Sequence, residues 1–239
     1  MAKEPKRATR RAGGGARTRA RKRSETAAAR RERVREIIRR LRELYPHATT
    51  SLRFQDPYQL LVATILSAQC TDERVNLVTP ALFRRYPDVE ALAAARPEEL
   101  EEMIRSTGFF RNKTKGLLGM ANAVVERHGG RVPDDMDALT KLPGVGRKTA
   151  NVVLGNAFHR DVGVVVDTHV WRLSQRLGLT DHDDPERIEE DLMQVVPHED
   201  WTDIAHLLIY HGRAICTARK PRCGECVLND ICPSAFIAG

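Results

Sequence analysis

The residues of this sequence that could do chemistry lie in three places. Lys148 follows a glycine turn in TKLPGVGRKTAN, Asp167 stands nineteen residues later in VDTHVWRLSQ, and four cysteines crowd the C-terminal end. A neutral lysine amine is a nucleophile toward carbon, and a carboxylate can accept its proton or stabilise positive charge nearby. Gly144 and Gly146 permit a tight turn and a close approach of the backbone to another molecule. The mostly apolar run from Thr149 to Phe158 reads as a helix, and a helix start, with unpaired N–H groups and partial positive charge, suits an anion such as phosphate. Lys148 is then either a further phosphate contact or a reagent. Asp167 alone reads first as a cap for the helix THVWRLSQ.

Cys216, Cys223, Cys226 and Cys232 are separated by six, two and five residues, so four of the five cysteines fall within seventeen positions. Clustered thiols in a reducing compartment argue for a metal site ahead of disulfides. Four thiolates suit tetrahedral zinc or an iron–sulfur cluster, and spacing leaves both open. Arg219, Lys220 and Arg222 lie between the first two cysteines. A loop pinned by metal could present these cations to phosphate, or they could be a solvated loop offsetting a negative metal–thiolate centre. Cys70, far away in SAQCTD, reads as a small core residue.

Helical patterns must position these groups, and they follow one another along the chain. RRERVREIIRRLRELYP spaces Val34, Ile37, Ile38, Leu41 and Leu44 at helical intervals and stops at Pro46. Asp56-Pro57 opens YQLLVATILSAQ, apolar enough for a buried helix. Thr71 or Asp72 can cap the next helix, Pro97 begins another that closes on Gly108, and NKTKGLLGMANAVVERHGG closes on Gly129 and Gly130. DALTKL and RKTANVVLGNAF flank the glycine turn as two short helices, and Asp184-Pro185 and residues 198–200 start the last long ones. VGVVVD is the one strand-like run. The expected fold class is all-α.

The 239 residues, 41% hydrophobic and 30% charged, can bury one large core or two modest ones. No apolar stretch approaches the roughly 20 residues that span a bilayer, and no signal-peptide core is visible. A reducing, cytoplasmic setting is expected. The net charge of +7 is local: residues 1–24 hold ten Lys/Arg and one Glu, leaving 29 basic and 31 acidic residues over 25–239. Such a Gly- and Arg-rich segment is expected to be disordered and to contact nucleic acid, with a solubilising or targeting peptide as the alternative.

Taken together, LPGVGRKTANVV, VDTHVWRLSQRLGL and HGRAIC with its six-two-five cysteine spacing resemble endonuclease III of the helix-hairpin-helix DNA glycosylases. The resemblance covers roughly residues 30–235 and leaves out the basic tail. It implies two helical domains with duplex DNA bound across the groove between them. One is a six-helix domain over 50–160 that carries the hairpin. The other joins 29–49 to 161–239, with 1–28 as the disordered tail. The four cysteines would ligate a 4Fe-4S cluster, which decides for iron over zinc. The resemblance makes Lys148 the catalytic lysine and Asp167 the catalytic aspartate. Gly144, Val145 and Gly146 would anchor a phosphate through backbone N–H groups, with Arg147 and Thr149 beside them on the DNA. Partial burial and the helix start would both help Lys148 shed its proton. The activity implied is a bifunctional DNA glycosylase and AP lyase acting on oxidised pyrimidines or abasic sites, as a monomer in a bacterial cytoplasm. A flipped base leaves a gap in the duplex, and by resemblance Gln69 fills it while Phe109, at a position where the family usually has leucine, acts as an apolar wedge.

Two other readings compete with this one. A sister enzyme removing adenine opposite oxidised guanine lacks this lysine and carries a further domain after its cysteines. A non-enzymatic hairpin module with a structural metal would bind DNA without cleaving it.

Overall fold

The computed structural model describes residues 25–237. Eleven α-helices and three short 3-10 turns make up its regular structure, and no strand occurs among the described residues. The caps follow the sequence closely. Asp56, Thr71, Asp88, Asp135 and Asp184 each accept a backbone N–H with the side chain at a helix start, and Pro57, Pro97 and Pro185 occupy first-turn positions. Each such cap is worth about 1 kcal/mol.

The buried side chains form two clusters. The first takes in α2 (Pro57–Ser67), α3 (Asp72–Arg85), α4 (Val89–Ala93), α5 (Pro97–Ile104), α6 (Phe110–His128), α7 (Met136–Thr140) and α8 (Arg147–Ala157). Leu60, Leu61, Val62 and Leu66 of α2 are wholly buried there, as an apolar helix requires. This segment therefore carries seven helices rather than six. The extra one is a single five-residue turn, α4, set off by the Asp88 cap, too short to show a helical period.

The second cluster joins α1 (Ala27–Leu44) to α9 (Thr168–Arg176), α10 (Pro185–Val195), α11 (Trp201–Ala214) and the cysteine loop. Val34, Ile37, Ile38 and Leu41 form the buried stripe of α1. Arg33 donates to the Leu177 carbonyl at 2.6 Å, and Arg40 to the Val227 carbonyl and both Asp230 carboxylate oxygens, so the first helix is tied to the last loop.

The boundary of the tail also needs correction. The basic tail ends before residue 28: Thr26 caps α1 at Ala29, and Glu25 pairs with Arg33 at 2.8 Å, so the helix has begun by Ala27. The rest of that expectation, residues 1–24, lies outside the described residues. VGVVVD is no strand. It is an extended crossing in which Val162 packs on the first core and Val164 is buried in the second; with apolar neighbours on both sides and no strand alongside, a ladder has nothing to pair with.

Candidate active site

The glycine turn joins α7 to α8. Gly144 has φ of 77°, and a Cβ placed there would stand 3.4 Å from the Cα of Gly116 on α6. Glycine is needed for both reasons. Val145, buried, pins the tip of the turn into the first core, and its N–H is used inside the turn by the Leu142 carbonyl at 3.1 Å. The phosphate anchor expected from three successive N–H groups is therefore reduced: Val145 supplies packing, and the donors that remain belong to Gly144, Gly146 and the first turn of α8. Gly146 forms the N-cap of α8 with no side-chain cap and open space over its Cα.

Arg147 and Lys148 are both exposed on that first turn, with Thr149 half-buried behind them. Lys148 thus lacks the partial burial expected of it. Arg147 is occupied: its Nε and Nη2 donate to Glu189 at 3.0 and 3.1 Å, while Asn151 Nδ2 donates to the same carboxylate at 2.8 Å. Glu189 sits on α10, so this pair crosses from the hairpin helix to the second core. Arg147 is half exposed, which screens the pair toward the ~0–1 kcal/mol of a surface bridge. The buried Glu189 carboxylate stripped of its arginine is the larger penalty. Gly163 makes room for it, since a Cβ there would collide with a Glu189 oxygen.

Asp167 caps α9, its Oδ1 accepting the N–H groups of His169 and Val170 at 2.8 Å. Lys148 and Asp167, from two different helix starts, both line a cavity of about 630 Å³ between the two cores. Gln69, Ser67 and Cys70 at the end of α2 form one wall, and Thr202, His206 and Ile209 on α11 another. Sequence reasoning missed the histidines here. His169 is partly buried and bonded to Arg172 Nη2 at 3.1 Å; burial holds it below the usual imidazole value, with the Asp167 carboxylate pulling the other way. His206 Nε2 meets Asn156 Oδ1 at 2.8 Å. Position two residues after Asp167 on one helix turn was the available signal for His169; His206 had none. Asp72 at the start of α3 meets Arg213 of α11 at 3.3 Å across the rim.

Gln69 and Phe109 are both exposed and both left-handed, with φ of 52° and 48°. Non-glycine residues hold that conformation only under constraint. Phe109 is 62% exposed while Phe110 turns inward against the first core.

The four cysteines surround one small cavity together with Leu173, Leu177 and Leu228. Among the described residues no three His, Cys, Asp or Glu side chains are grouped to hold a single metal ion. Zinc would draw four sulfurs onto one centre at about 2.3 Å, whereas a 4Fe-4S cluster takes one thiolate per iron around a body of its own. The donor set fits the cluster. Its surroundings fit as well: Arg176 Nη1 points at Cys216 Sγ at 3.3 Å, the Leu228 N–H at Cys226 Sγ at 3.4 Å and His211 Nε2 at Cys226 Sγ at 3.2 Å. Burial pushes His211 down to about 4, so the ring is neutral at pH 7. A thiolate can only accept, so a hydrogen bond to a ligating Cys226 requires the hydrogen on Nε2 and leaves Nδ1 to accept from the Tyr45 hydroxyl 3.1 Å away. Arg176 also donates to the carbonyls of Thr217 and Ala218 at 2.8 Å, holding the loop that leads to exposed Arg219 and Lys220. Arg222 is exposed too, but donates to the Ala214 carbonyl and pairs with Glu225.

Residues 62–198 match the family model of the HhH-GPD superfamily base excision DNA repair proteins, and residues 216–232 that of the iron–sulfur binding domain of endonuclease III. Endonuclease III of Synechocystis sp. is 61% identical over 208 residues, covering 87% of this chain and 95% of its own. That of Escherichia coli is 44% identical over 197 residues, covering 82% and 93%. Among solved structures, a trapped endonuclease III–DNA covalent intermediate superposes with a TM-score of 0.80 at 41% identity, covering 86% of this chain and 96% of that one. A non-covalent endonuclease III–DNA complex gives the same values. The chain belongs to the endonuclease III family of the HhH-GPD superfamily. It is a base excision repair DNA glycosylase and AP lyase that carries a 4Fe-4S cluster.

Proposed function

We propose that the protein removes oxidised pyrimidines from duplex DNA and cuts the strand 3′ to the resulting site, with Lys148 as nucleophile and Asp167 as its partner. The observation that supports this reading most is the convergence of Lys148 and Asp167 on the cavity between the two cores. A base flipped from the duplex would enter that cavity. The neutral Lys148 amine attacks C1′ of the deoxyribose, the C1′–N bond breaks, and the base departs with the bonding pair and takes up a proton. The amine's own proton passes to Asp167 or to water, and the sugar ring opens to a Schiff base between Nζ and C1′. Loss of a C2′ proton then expels the 3′ phosphate, and hydrolysis of the imine frees Lys148. Asp167 Oδ1 is engaged by two N–H groups, so Oδ2 is the oxygen left to face the developing positive charge. Bound, the cluster supplies a rigid body on which the 216–232 loop is built. Gln69 fills the gap, Phe109 wedges the stack, and Gly144, Gly146, Arg219 and Lys220 hold the backbone. The protein acts as a monomer.

Incubation with duplexes bearing thymine glycol, uracil or an abasic site tests the substrate class. Cleavage is expected at thymine glycol and the abasic site and not at uracil; efficient uracil release with thymine glycol untouched would overturn the assignment. The basic tail is proposed as a further backbone contact. Deleting residues 1–24 should weaken binding at low salt and flatten its salt dependence by about 0.9 for each phosphate that the tail neutralises, leaving single-turnover release on saturated substrate unchanged. An unchanged slope would remove the tail from the DNA.

A further inference from the structure

Lys113, on the first turns of α6, is a buried lysine with no carboxylate partner among the described residues. Only 6% of it is exposed, and its Nζ donates to the Leu66 carbonyl at 2.8 Å and to the Thr107 carbonyl at 2.8 Å. Those carbonyls belong to different segments. Leu66 is in the last turn of α2, three residues before Gln69; Thr107, itself buried, stands two residues before Phe109. The bond to Leu66 places a cation at a helix C-terminus, the favourable end of its dipole. Each carbonyl leads directly into a turn whose exposed residue is held left-handed, a conformation that persists only where its surroundings over-determine it. Removing an ammonium from water is expensive, and burial does pull Lys113 below the usual lysine range. A leucine or methionine would fill the same volume without that penalty, so packing alone does not explain a lysine here.

We infer that Lys113 couples the Gln69 turn to the Phe109 turn, making one rigid unit that enters a duplex as a pair. It is a positioning residue, bonded only to protein carbonyls, and the inference rests on the reading of Gln69 and Phe109 as gap filler and wedge. An ammonium carries three N–H donors on one nitrogen, which lets it fix two carbonyls from separate segments at a single point. Without it each turn could relax independently, and a base would be extruded by two uncoordinated insertions.

The test compares thymine glycol in a fully paired duplex with the same lesion inside a bubble of unpaired bases, where little must be pried open. Single-turnover release by Lys113→Met should fall about 10- to 100-fold on the paired duplex, the scale of a misplaced positioning group, and far less in the bubble. Gln69→Ala and Phe109→Ala, singly and combined, should show the same preference for the bubble, and adding Lys113→Met to the Gln69→Ala/Phe109→Ala double variant should cost nothing more on the paired duplex. The paired-to-bubble ratio is taken on one preparation, so a poorly folded fraction cancels. Lys113→Gln keeps two N–H donors on a shorter chain, should recover part of the loss, and carries the same comparison if the methionine variant does not fold. Equal losses on both substrates, or a full additional loss on top of the double variant, would overturn the coupling. If the Gln69 and Phe109 variants show no preference for the bubble, the wedge reading falls and this inference with it. If they do and the Lys113 variants do not, only the coupling falls.

Discussion

Lys148→Gln should bind damaged duplex and fail to form a covalent adduct. Lys148 is exposed on the first turn of α8, and the glycine turn before it is held by Val145 in the core and by the Gly144–Gly116 approach. Glutamine keeps a long polar side chain there, so fold and phosphate contacts should survive. The amine is gone, and with it the imine that links enzyme to sugar. Borohydride should trap the natural protein on an abasic or thymine glycol duplex and leave the variant untrapped, with strand cleavage reduced on the order of 10⁴-fold or more, as when a covalent nucleophile is removed elsewhere. Robust trapping by the variant would identify a different amine.

Asp167→Asn should slow base release by about 10²- to 10⁴-fold, the range of acid–base assistance, with little change in melting temperature. The small stability effect follows from the cap: an asparagine side-chain oxygen accepts the His169 and Val170 N–H groups as Asp167 Oδ1 does. Only the charge is lost. An abasic site has no base to expel, so trapping there should suffer less than on thymine glycol. Equal losses on both substrates would deny Asp167 a particular part in base departure, and a large fall in melting temperature would mean that its main work is structural.

Features fixed by near neighbours in the chain were legible before the structure. The caps at Asp56, Thr71 and Asp184, the stripe on α1, the glycine turn and the cysteine loop all depend on interactions within a few positions, where residue type and spacing carry the signal. Asp167 was legible as a cap by its residue type. Distant partners were not. Lys113 meets Leu66 across 47 positions, Arg147 meets Glu189 across 42 and Arg176 meets Thr217 across 41. Nothing local marks these residues, because what makes each one useful is a carbonyl or carboxylate brought near only by tertiary folding. The same holds for the left-handed backbone at Gln69 and Phe109, two residue types that do not ask for it. VGVVVD looks strand-like for a related reason: an apolar run records burial on both sides, and here the two sides are two different cores.

The second core draws α1 from near the start of the chain and Leu228 from near its end, which imposes an order in time. While the ribosome is still working, the stretch from Leu52 to Val162 already contains the side chains of the first core, whereas α1 must wait exposed until α9, α10, α11 and Leu228 have emerged. Its apolar stripe is thus uncovered while the hairpin half folds, and the glutamates and arginines along its outer face favour solvation of the helix meanwhile. The cysteines follow the hairpin half in the chain, so that half can fold before the loop that would hold the cluster has been made.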